Sequence, residues 1–470
     1  MEIQLPEVPL LRIFSFLDVI SLLQVSKVNK SWKKVAETES LWRNLCLKKW
    51  SFCNFTQLQG TQTWKNFFLH LTRQERQMAL AEPQDFNVKV TKDKIGVIGA
   101  MAYLSGNGHT EDAQEKSILC TLSSKCILYA WDVQEGVVIW ESPVQRTRLL
   151  NLATLPQMHL VFTVDMEGKI KMWNCWDKED LATLSMPNPC FSLETCVTVE
   201  GSFLMVGSIK GEIYTLTVPE LREVSKIKAF EYSVDFLNFS PDNKWLFACG
   251  SHQVTLPTVF LTEYLLNPAG NHVPATLSVP SSSCCTNSWA PRRPNRIIVM
   301  FRKGFVNATG FITFDITAER TEGNIVVTAS QIASFRLPAH MEIPTWMGVS
   351  DGNTIAFESG PFLFLFSIRG LQIQQFEHHQ RNIVCLWADS VHVLTAGMDD
   401  SLHMYMWEEG DRSPYLKSCF HLQYRDALGS APNCYLSKAI CDNRSIVYVV
   451  SKIRESSMLL MYSLKKNYGH

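Results

Sequence analysis

Residues 5–50 read LPEVPLLRIFSFLDVISLLQVSKVNKSWKKVAETESLWRNLCLKKW, a stretch dense in Leu, Ile, Val, Phe and Trp. Pro6 and Pro9 lie where a helix could begin, because the first four N–H groups of a helix have no internal partner. Apolar residues then follow at i, i+3, i+4 and i+7, which is one helical stripe: Leu10, Ile13, Phe14 and Leu17. The pattern predicts a first helix that begins near Pro6.

Three polar residues in the same stretch are suited to begin further short helices. They are Asp18, Asn29 and Ser40, and each precedes a segment with apolar residues at helical spacing. Side chains of these types accept a hydrogen bond from the unpaired N–H groups of the first turn. We therefore expect four helices within residues 1–50.

Such short helices cannot bury this much apolar surface among themselves. Domains below about 40 residues seldom stand alone without a disulfide or a metal, and Cys46 is the only cysteine in residues 1–50. Exposed apolar surfaces of this kind typically meet a partner. Two interpretations remain: part of the surface meets another protein, or all of it packs on the rest of this chain.

The stretch resembles the F-box, a motif of about this length. The resemblance is carried by Leu5-Pro6, residues 13–18 (IFSFLD), Leu22-Leu23, Val25, Val28, residues 30–32 (KSW) and Leu41-Trp42. It implies docking onto the Skp-type adaptor of a cullin–RING ubiquitin ligase. The residues that the resemblance assigns to this contact are Leu5, Pro6, Leu10, Ile13, Phe14, Leu17, Leu22, Val25, Val28 and Trp32.

The chain departs from the usual F-box at three positions. It has Glu7-Val8-Pro9 where Glu-Leu is usual, Asp18-Val19 where Asp-Pro is usual, and Val28-Asn29-Lys30 where Val-Cys-Lys is usual. Pro9 could shift the first helical turn. An alternative function therefore stays open, that of a non-catalytic scaffold whose helical domain no longer engages the ligase.

Composition excludes several classes of protein. A net charge of -1 gives no general attraction to nucleic acid or acidic membranes, and 46% hydrophobic with 19% charged residues is typical of globular chains. No run reaches the roughly 18 apolar residues of a membrane helix. The fourteen cysteines include no C-x-x-C pair, so we expect buried thiols, no metal, no cofactor and a cytoplasmic or nuclear location.

Residues 51–85 are predicted to form linker helices. Trp64, Phe67, Phe68 and Leu71 follow helical spacing, and Pro83 ends the segment. A helical linker holds two domains at a set distance and angle, which a Gly/Ser linker would not.

From about Phe86 the apolar period changes to two, which is typical of strands. Apolar strand ends recur at 131, 173, 216, 260, 314, 366, 407 and 462. A period of about 40–55 residues with several strands per unit predicts a β-propeller. We favour eight blades, with seven as the alternative. We also expect Phe86–Val90 to pair with the last blade, after Ser457–Leu464, and so close the ring.

These units resemble the WD-repeat family. The resemblance is carried by residues 127–132 (ILYAWD), by residues 168–174 (GKIKMWN) and by the unit from His378 to Trp407. Together the two motifs resemble the F-box/WD-repeat proteins, substrate receptors of SCF ubiquitin ligases, in a divergent subgroup of the member-twelve and member-fifteen type. The implied fold class is α+β multidomain: an F-box helical domain (1–50), linker helices (51–85) and an all-β WD-type propeller (86–470).

A search for catalytic motifs is negative for nucleophile elbows, zinc-protease helices and glycine-rich phosphate loops. His378-His379 and Asp399-Asp400 could serve a metal or acid–base chemistry. We expect instead that they form hydrogen bonds inside one propeller unit, and that the chain is a receptor without catalytic residues. A propeller enzyme that uses His379, Asp399 and Asp400 is the remaining rival.

Two pairs of arginines are candidates for contact with an unknown protein substrate. Arg146 and Arg148 fall between an outer strand and the next inner strand, where propeller loops often face a ligand. Arg292 and Arg293 lie between Pro291 and Pro294, and could bind an acidic or phosphorylated peptide. Ordinary solvated loops are the alternative for both pairs.

Overall fold

The computed structural model describes residues 6–50, 63–91, 95–104, 116–252, 255–268, 271–280, 284–303, 308–321, 324–410, 414–423, 434–452 and 456–465. Leu5 and residues 51–62 of the predicted linker lie outside the described residues. The α-helices are Glu7–Phe14 (α1), Val19–Val25 (α2), Lys30–Ala36 (α3), Glu39–Lys49 (α4), Trp64–Ala79 (α5) and Thr262–Leu266 (α6). Two 3-10 turns span Pro83–Asp85 and Pro156–Met158.

The first helix begins where the sequence predicts. Pro6 occupies the N-cap position of α1 and Pro9 lies in the first turn, where a missing N–H costs no hydrogen bond. Pro9 therefore leaves the helix uninterrupted.

Two of the three predicted caps are confirmed. The Oδ1 atoms of Asp18 and Asn29 accept hydrogen bonds from the N–H groups of Ser21 and Trp32, each at 2.8 Å. The prediction for Ser40 is wrong, because α4 begins at Glu39, two residues earlier than a cap at Ser40 implies, and Thr38 occupies its N-cap position without a capping hydrogen bond. Helix ends of this kind depend on backbone dihedral angles that side-chain type does not determine.

The cap at Asn29 leads to a prediction. Asn29→Ala should lower the free energy of unfolding of the helical domain by about 1 kcal/mol, because one N–H at the start of α3 loses its acceptor. Chemical denaturation followed by tryptophan fluorescence measures this loss. Asn29→Ser keeps an acceptor and should remain near wild type; a loss equal to that of Asn29→Ala would contradict the capping role.

The apolar faces of α1–α5 meet in one core. Its fully buried members include Trp42, Trp50, Phe67 and Leu71. The rings of Trp42 and Trp50 pack against Phe68 with centroids 5.8 and 5.0 Å apart. The helix α5 thus completes a core that α1–α4 cannot form alone, and the linker belongs structurally to the N-terminal domain.

Eight β-sheets follow, each an antiparallel blade with its first strand innermost. Blade 1 contains strands Ile98–Tyr103, Ile118–Ser123, Ile127–Asp132 and Val137–Glu141, and blade 2 contains Leu149–Leu155, Leu160–Asp165, Lys169–Trp173 and Ala182–Ser185. Blade 3 contains Cys190–Thr198, Gly201–Ser208, Glu212–Val218 and Glu223–Lys228, and blade 4 contains Phe236–Phe239, Trp245–Cys249, Thr258–Leu261 and Ala275–Thr276.

Blade 5 contains strands Cys284–Ala290, Arg293–Lys303, Ala308–Thr321 and Asn324–Arg336, and blade 6 contains Met347–Val349, Thr354–Ser359, Phe362–Ser367 and Gln372–Phe376. Blade 7 contains Ile383–Ala388, His392–Gly397, Ser401–Glu408 and Tyr415–Gln423, and blade 8 contains Cys434–Cys441, Ser445–Lys452, Met458–Leu464 and Phe86–Val90. Blade 5 carries a fifth strand, Asn271–Val273, which runs parallel to its outer strand. The eight-bladed prediction is confirmed and the seven-bladed alternative is wrong.

The ring closes through strand Phe86–Val90, as predicted. This strand pairs antiparallel with Met458–Leu464 from Phe86 opposite Leu464 to Val90 opposite Leu460. The first strand of the propeller is thereby the outer strand of the last blade. Residues distant in sequence close the sheet and leave no free seam in the ring.

The alternation of strand direction gives the propeller two distinct ends. We call one end the helix face. In each blade it carries the connection between the first and second strands and the connection between the third and fourth strands. The open face carries the connections between the second and third strands and those between successive blades. Every connection that the structure describes within the propeller can be assigned to one end in this way.

The helical domain packs on the helix face. Val391, in the first connection of blade 7, and Met406, at the end of its third strand, belong to the core of α1–α5. A cavity of about 520 Å³ separates Arg43 of α4 from helix-face connections of blades 2 to 4, including Thr198 and Asn243. The open face is consequently directed away from the helical domain.

Candidate functional site

Exposed apolar residues lie on α1, on α2 and in the connections that follow these two helices. They are the large apolar residues within 6–50 that the structure leaves most exposed: Val8 (77% exposed), Ile13 (49%), Phe16 (81%), Ile20 (67%) and Val28 (59%). We call these five residues the docking surface. Aromatic and aliphatic side chains that a fold leaves together in water are typical of a protein–protein contact.

The structure describes nine of the ten residues that the F-box resemblance assigns to adaptor contact, and these nine divide into three groups. Leu10, Phe14 and Leu22 are buried in the helical core, so they support the docking surface from behind and do not form it. Leu17, Val25 and Trp32 are half-buried against that core, while Pro6, Ile13 and Val28 are exposed. Leu5 lies outside the described residues.

Three members of the docking surface were absent from the sequence-based set: Val8, Phe16 and Ile20. A signal for them exists, since they are apolar but fall off the stripe formed by Leu10 and Phe14. Apolar residues outside a core stripe are those for which the chain has no internal partner.

A buried ion pair ties α4 to α5. The side chain of Glu75 is 6% exposed, and its carboxylate lies 2.6 Å from the ammonium of Lys49. The indole Nε1–H of Trp50 donates a hydrogen bond to the same carboxylate. One turn further along α5, Met78 packs with Phe86 and with the outer strand of blade 7. The C-terminal part of α5 therefore connects α4 to the propeller through buried contacts.

The candidate acid–base residues form a hydrogen-bonded network inside blade 7. The Nδ1 atom of His379 lies 3.1 Å from Asp399 Oδ1, and its Nε2 atom lies 2.9 Å from Thr395 Oγ1. Ser401 Oγ–H donates to Asp399 at 2.7 Å. Asp399 also accepts from the N–H of Gln380 at 2.7 Å. These partners hold the connection into blade 7 against its second and third strands, as the hydrogen-bonding interpretation predicts.

Four histidines stack beside this network and predict a dependence of stability on pH. Burial and the neighbouring histidines lower the pKa of His403 from 6.5 to about 3, and burial lowers the pKa of His378 and His379. His403 faces His378, His379 and His421 as well as Asp399. In the unfolded chain it takes up a proton near pH 6.5, so acid favours unfolding.

The contribution of His403 to the free energy of unfolding should accordingly be largest above pH 6.5 and fall by about 1–2 kcal/mol towards pH 5. Thermal denaturation across this range measures the slope. His403→Gln should flatten it, whereas His340→Gln, at an exposed position, should leave it unchanged. A slope that His403→Gln does not alter would contradict the assignment.

The four candidate arginines lie at opposite ends of the propeller. Arg146 and Arg148 are exposed in the connection from blade 1 to blade 2, on the open face. Arg292 lies in the first connection of blade 5 and Arg293 begins its second strand, both at the helix face. Arg292 forms an ion pair with Glu409, with Nη1 2.7 Å from Oε1. The two pairs therefore cannot serve one binding site.

Exposed apolar side chains are distributed around the open face. They are Val97, Val144, Met166, Ile209, Tyr232, Leu256, Ile343, Trp346 and Met398. All lie in connections that precede an inner strand or join the second and third strands of a blade. This end of the propeller is thus a second candidate binding surface.

Comparison with known proteins agrees with both halves of this architecture. An F-box-like family model matches residues 3–48. Human F-box/WD repeat-containing protein 12 is 52% identical over 465 residues, which cover 99% of this chain and 100% of that protein. The chain belongs to the F-box/WD repeat-containing proteins. Mouse F-box/WD repeat-containing protein 15 is 36% identical, with 99% of each chain covered.

One further relative and one solved structure are similar to parts of the chain. Human F-box only protein 16 is 36% identical over 72 residues, which cover 15% of this chain and 25% of that protein. The computationally designed Ika8 protein shares the fold at a TM-score of 0.54 and 12% identity, with 79% of this chain and 98% of that chain covered.

The side-chain bonds of a WD-type repeat recur in the blades of this family member. Trp131 and Trp173 donate from Nε1 to Thr121 and Thr163 at 2.9 and 3.0 Å. Each bond joins the third strand of a blade to its second strand. The tryptophans at these strand ends therefore hold the blades together from within.

Two other classes of site were searched for in the described part of the chain. There, no group of three or more His, Cys, Asp or Glu side chains is placed to hold a metal ion. Within the same residues, no helix has both the length and the apolar character needed to cross a membrane.

Proposed function

We propose that this chain is the substrate-recognition subunit of an SCF-type ubiquitin ligase. Its F-box docks the Skp-type adaptor through the docking surface, and through it a cullin–RING ligase. Its open propeller face binds the protein to be ubiquitinated. The observation that carries the proposal is the pairing of two exposed binding surfaces at opposite ends of one packed molecule in an F-box/WD-repeat chain.

The bridge between these surfaces supports the assignment. Helix α5 is held to α4 by the Glu75–Lys49 pair and to the propeller by Met78. A substrate bound at the open face is therefore presented at a set distance and angle from the adaptor. Such a chain accelerates ubiquitination by raising the local concentration of a substrate lysine near the conjugating enzyme.

The departures from the usual F-box are compatible with docking. Pro9 lies in the first turn of α1 and leaves its hydrogen bonds intact. Asp18 caps α2 although the usual proline is replaced by Val19. These two observations favour the receptor over the scaffold whose F-box no longer engages the ligase.

We further propose a cytoplasmic or nuclear location. Ten cysteines of the described residues carry free thiols, and eight of these are buried. Buried thiols without disulfides suit a reducing compartment.

The test combines adaptor capture with a search for substrates. Purified full-length chain should bind the Skp-type adaptor. In cells, proximity labelling with and without proteasome inhibition should identify proteins that accumulate when Phe16→Glu and Ile20→Glu are introduced together. Failure of the wild-type chain to bind the adaptor would reject the receptor role and leave the scaffold.

A further inference from the structure

The open face is divided into two parts of opposite charge. Its connections in blades 1–3 are residues 124–126, 142–148, 166–168, 186–189 and 209–211, and the structure describes all of them. They carry four exposed cations and one exposed carboxylate: Lys125, Arg146, Arg148, Lys210 and Glu167. This part of the open face is strongly basic although the whole chain has a net charge of -1.

The described connections on the remaining part of the open face are acidic. Residues 229–235, 337–346, 377–382 and 398–400 carry three exposed carboxylates, those of Glu231, Glu342 and Glu377, against one exposed cation, Arg381. Three further carboxylates in these connections are partly buried: Asp235, Asp399 and Asp400. A charged partner is therefore attracted to one side of the open face and repelled from the other.

Apolar side chains alternate with the cations of blades 1–3. Val144 (70% exposed) lies in the same connection as Arg146 and Arg148, and Ile209 (43%) in that of Lys210, while Met166 (56%) lies in the connection 166–168. The backbone N–H of Met166 donates to the carbonyl of Arg148 at 3.0 Å, which places the two residues side by side. We call these three apolar residues and the four cations the basic arc.

The shape of the basic arc distinguishes between two anionic ligands. A phosphate group is bound by donors that converge on one point. Here Lys125 and Lys210 belong to blades that are not neighbours, and neither Arg146 nor Arg148 forms an ion pair with a described residue. Cations spread along an arc suit several carboxylates spread along an extended chain.

We propose that the basic arc binds an unphosphorylated acidic segment of the substrate protein. Apolar side chains of that segment pack on Val144, Met166 and Ile209, and its carboxylates meet Arg146, Arg148, Lys125 and Lys210. This inference rests on the proposed function, in which the open face carries the substrate, and it adds the class of sequence that the face selects. Charge complementarity sets the orientation and the apolar contacts supply affinity.

The experiment selects binders from a random library of short displayed peptides, using the purified full-length chain without adaptor. Enriched peptides should combine Asp or Glu with Leu, Ile or Phe. Arg146→Glu with Arg148→Glu should weaken their binding at least about tenfold, because two attractions become repulsions. Lys178→Glu with Arg222→Glu makes the same change of charge at exposed helix-face positions of blades 2 and 3, and should leave affinity within about twofold.

Three results would overturn the inference. Enriched peptides could lack acidic residues, the two double variants could bind alike, or synthetic peptides could bind only after a serine is phosphorylated. An unchanged melting temperature for Arg146→Glu with Arg148→Glu establishes that the variant is folded. Peptide binding without adaptor capture would reject the proposed ligase role but not peptide binding by the basic arc. Adaptor capture without selection of acidic peptides would reject peptide binding by the basic arc but not the ligase role.

Discussion

Phe16→Glu together with Ile20→Glu is expected to weaken binding of the Skp-type adaptor by at least about 100-fold, or about 2.7 kcal/mol. Both side chains are mainly exposed, at 81% and 67%, so the folded chain loses little when they change. At a contact, however, each glutamate would place a carboxylate against apolar surface of the partner. Titration of purified full-length variants with adaptor in an interferometry assay measures the change.

A matched control exists on the propeller. Trp176 and Leu371 are also an aromatic and an aliphatic residue, exposed at 68% and 70%. Changing both to Glu should leave adaptor affinity as in wild type. Equal losses in the two double variants would point to a general effect of charge or folding, and no loss at Phe16 and Ile20 would remove the docking surface from the adaptor contact.

Glu75→Ala is expected to lower the free energy of unfolding of the helical domain by about 1–3 kcal/mol. The substitution removes the carboxylate to which the buried indole N–H of Trp50 donates and with which Lys49 pairs. The indole N–H stays desolvated after the change, whereas the ammonium of Lys49, on a side chain that is 30% exposed, can still reach water. Hydrogen exchange of α4 and α5 amides measures the loss locally.

Two variants separate the buried pair from ordinary surface charges. Glu75→Gln retains an acceptor for Trp50 and should lose clearly less stability than Glu75→Ala. Glu7→Ala removes the exposed ion pair of Glu7 with Lys34 and should cost less than about 1 kcal/mol. If Glu75→Ala and Glu7→Ala have the same small effect, the Glu75–Lys49 pair does not hold α5 to α4, and other contacts must do so.

Local patterns in the sequence were sufficient for much of the fold. The caps at Asp18 and Asn29, the buried face of α5 and the pairing of Phe86–Val90 with the last blade all match the structure. Each depends on a local signal, such as a polar residue before an apolar stripe or an alternation of period two. The start of α4 was missed because Ser40 and Thr38 are equally suited to cap a helix by residue type.

The candidate sites were predicted less completely. Helical spacing correctly places Leu10 and Phe14 on the apolar face of α1 and Leu22 on the apolar face of α2. It does not predict which part of the protein covers these faces. In the structure α3–α5 cover these residues, and other apolar residues, such as Phe16 and Ile20, are exposed instead. An apolar residue has the same sequence signature whether its partner is its own chain or another protein.

The amino-acid sequence by itself determined that this chain joins a small helical F-box to a ring of WD-type sheets, because both depend on short-range periodicity and on motifs a few residues long. Tertiary structure alone decided which apolar residues of the F-box face water. It also decided that Arg146 and Arg148 lie at the end of the propeller opposite to Arg292 and Arg293. Whether a residue is buried, and at which end of the propeller it lies, depends on strand direction and on packing between segments far apart in sequence. Strand direction and packing are properties of the folded chain.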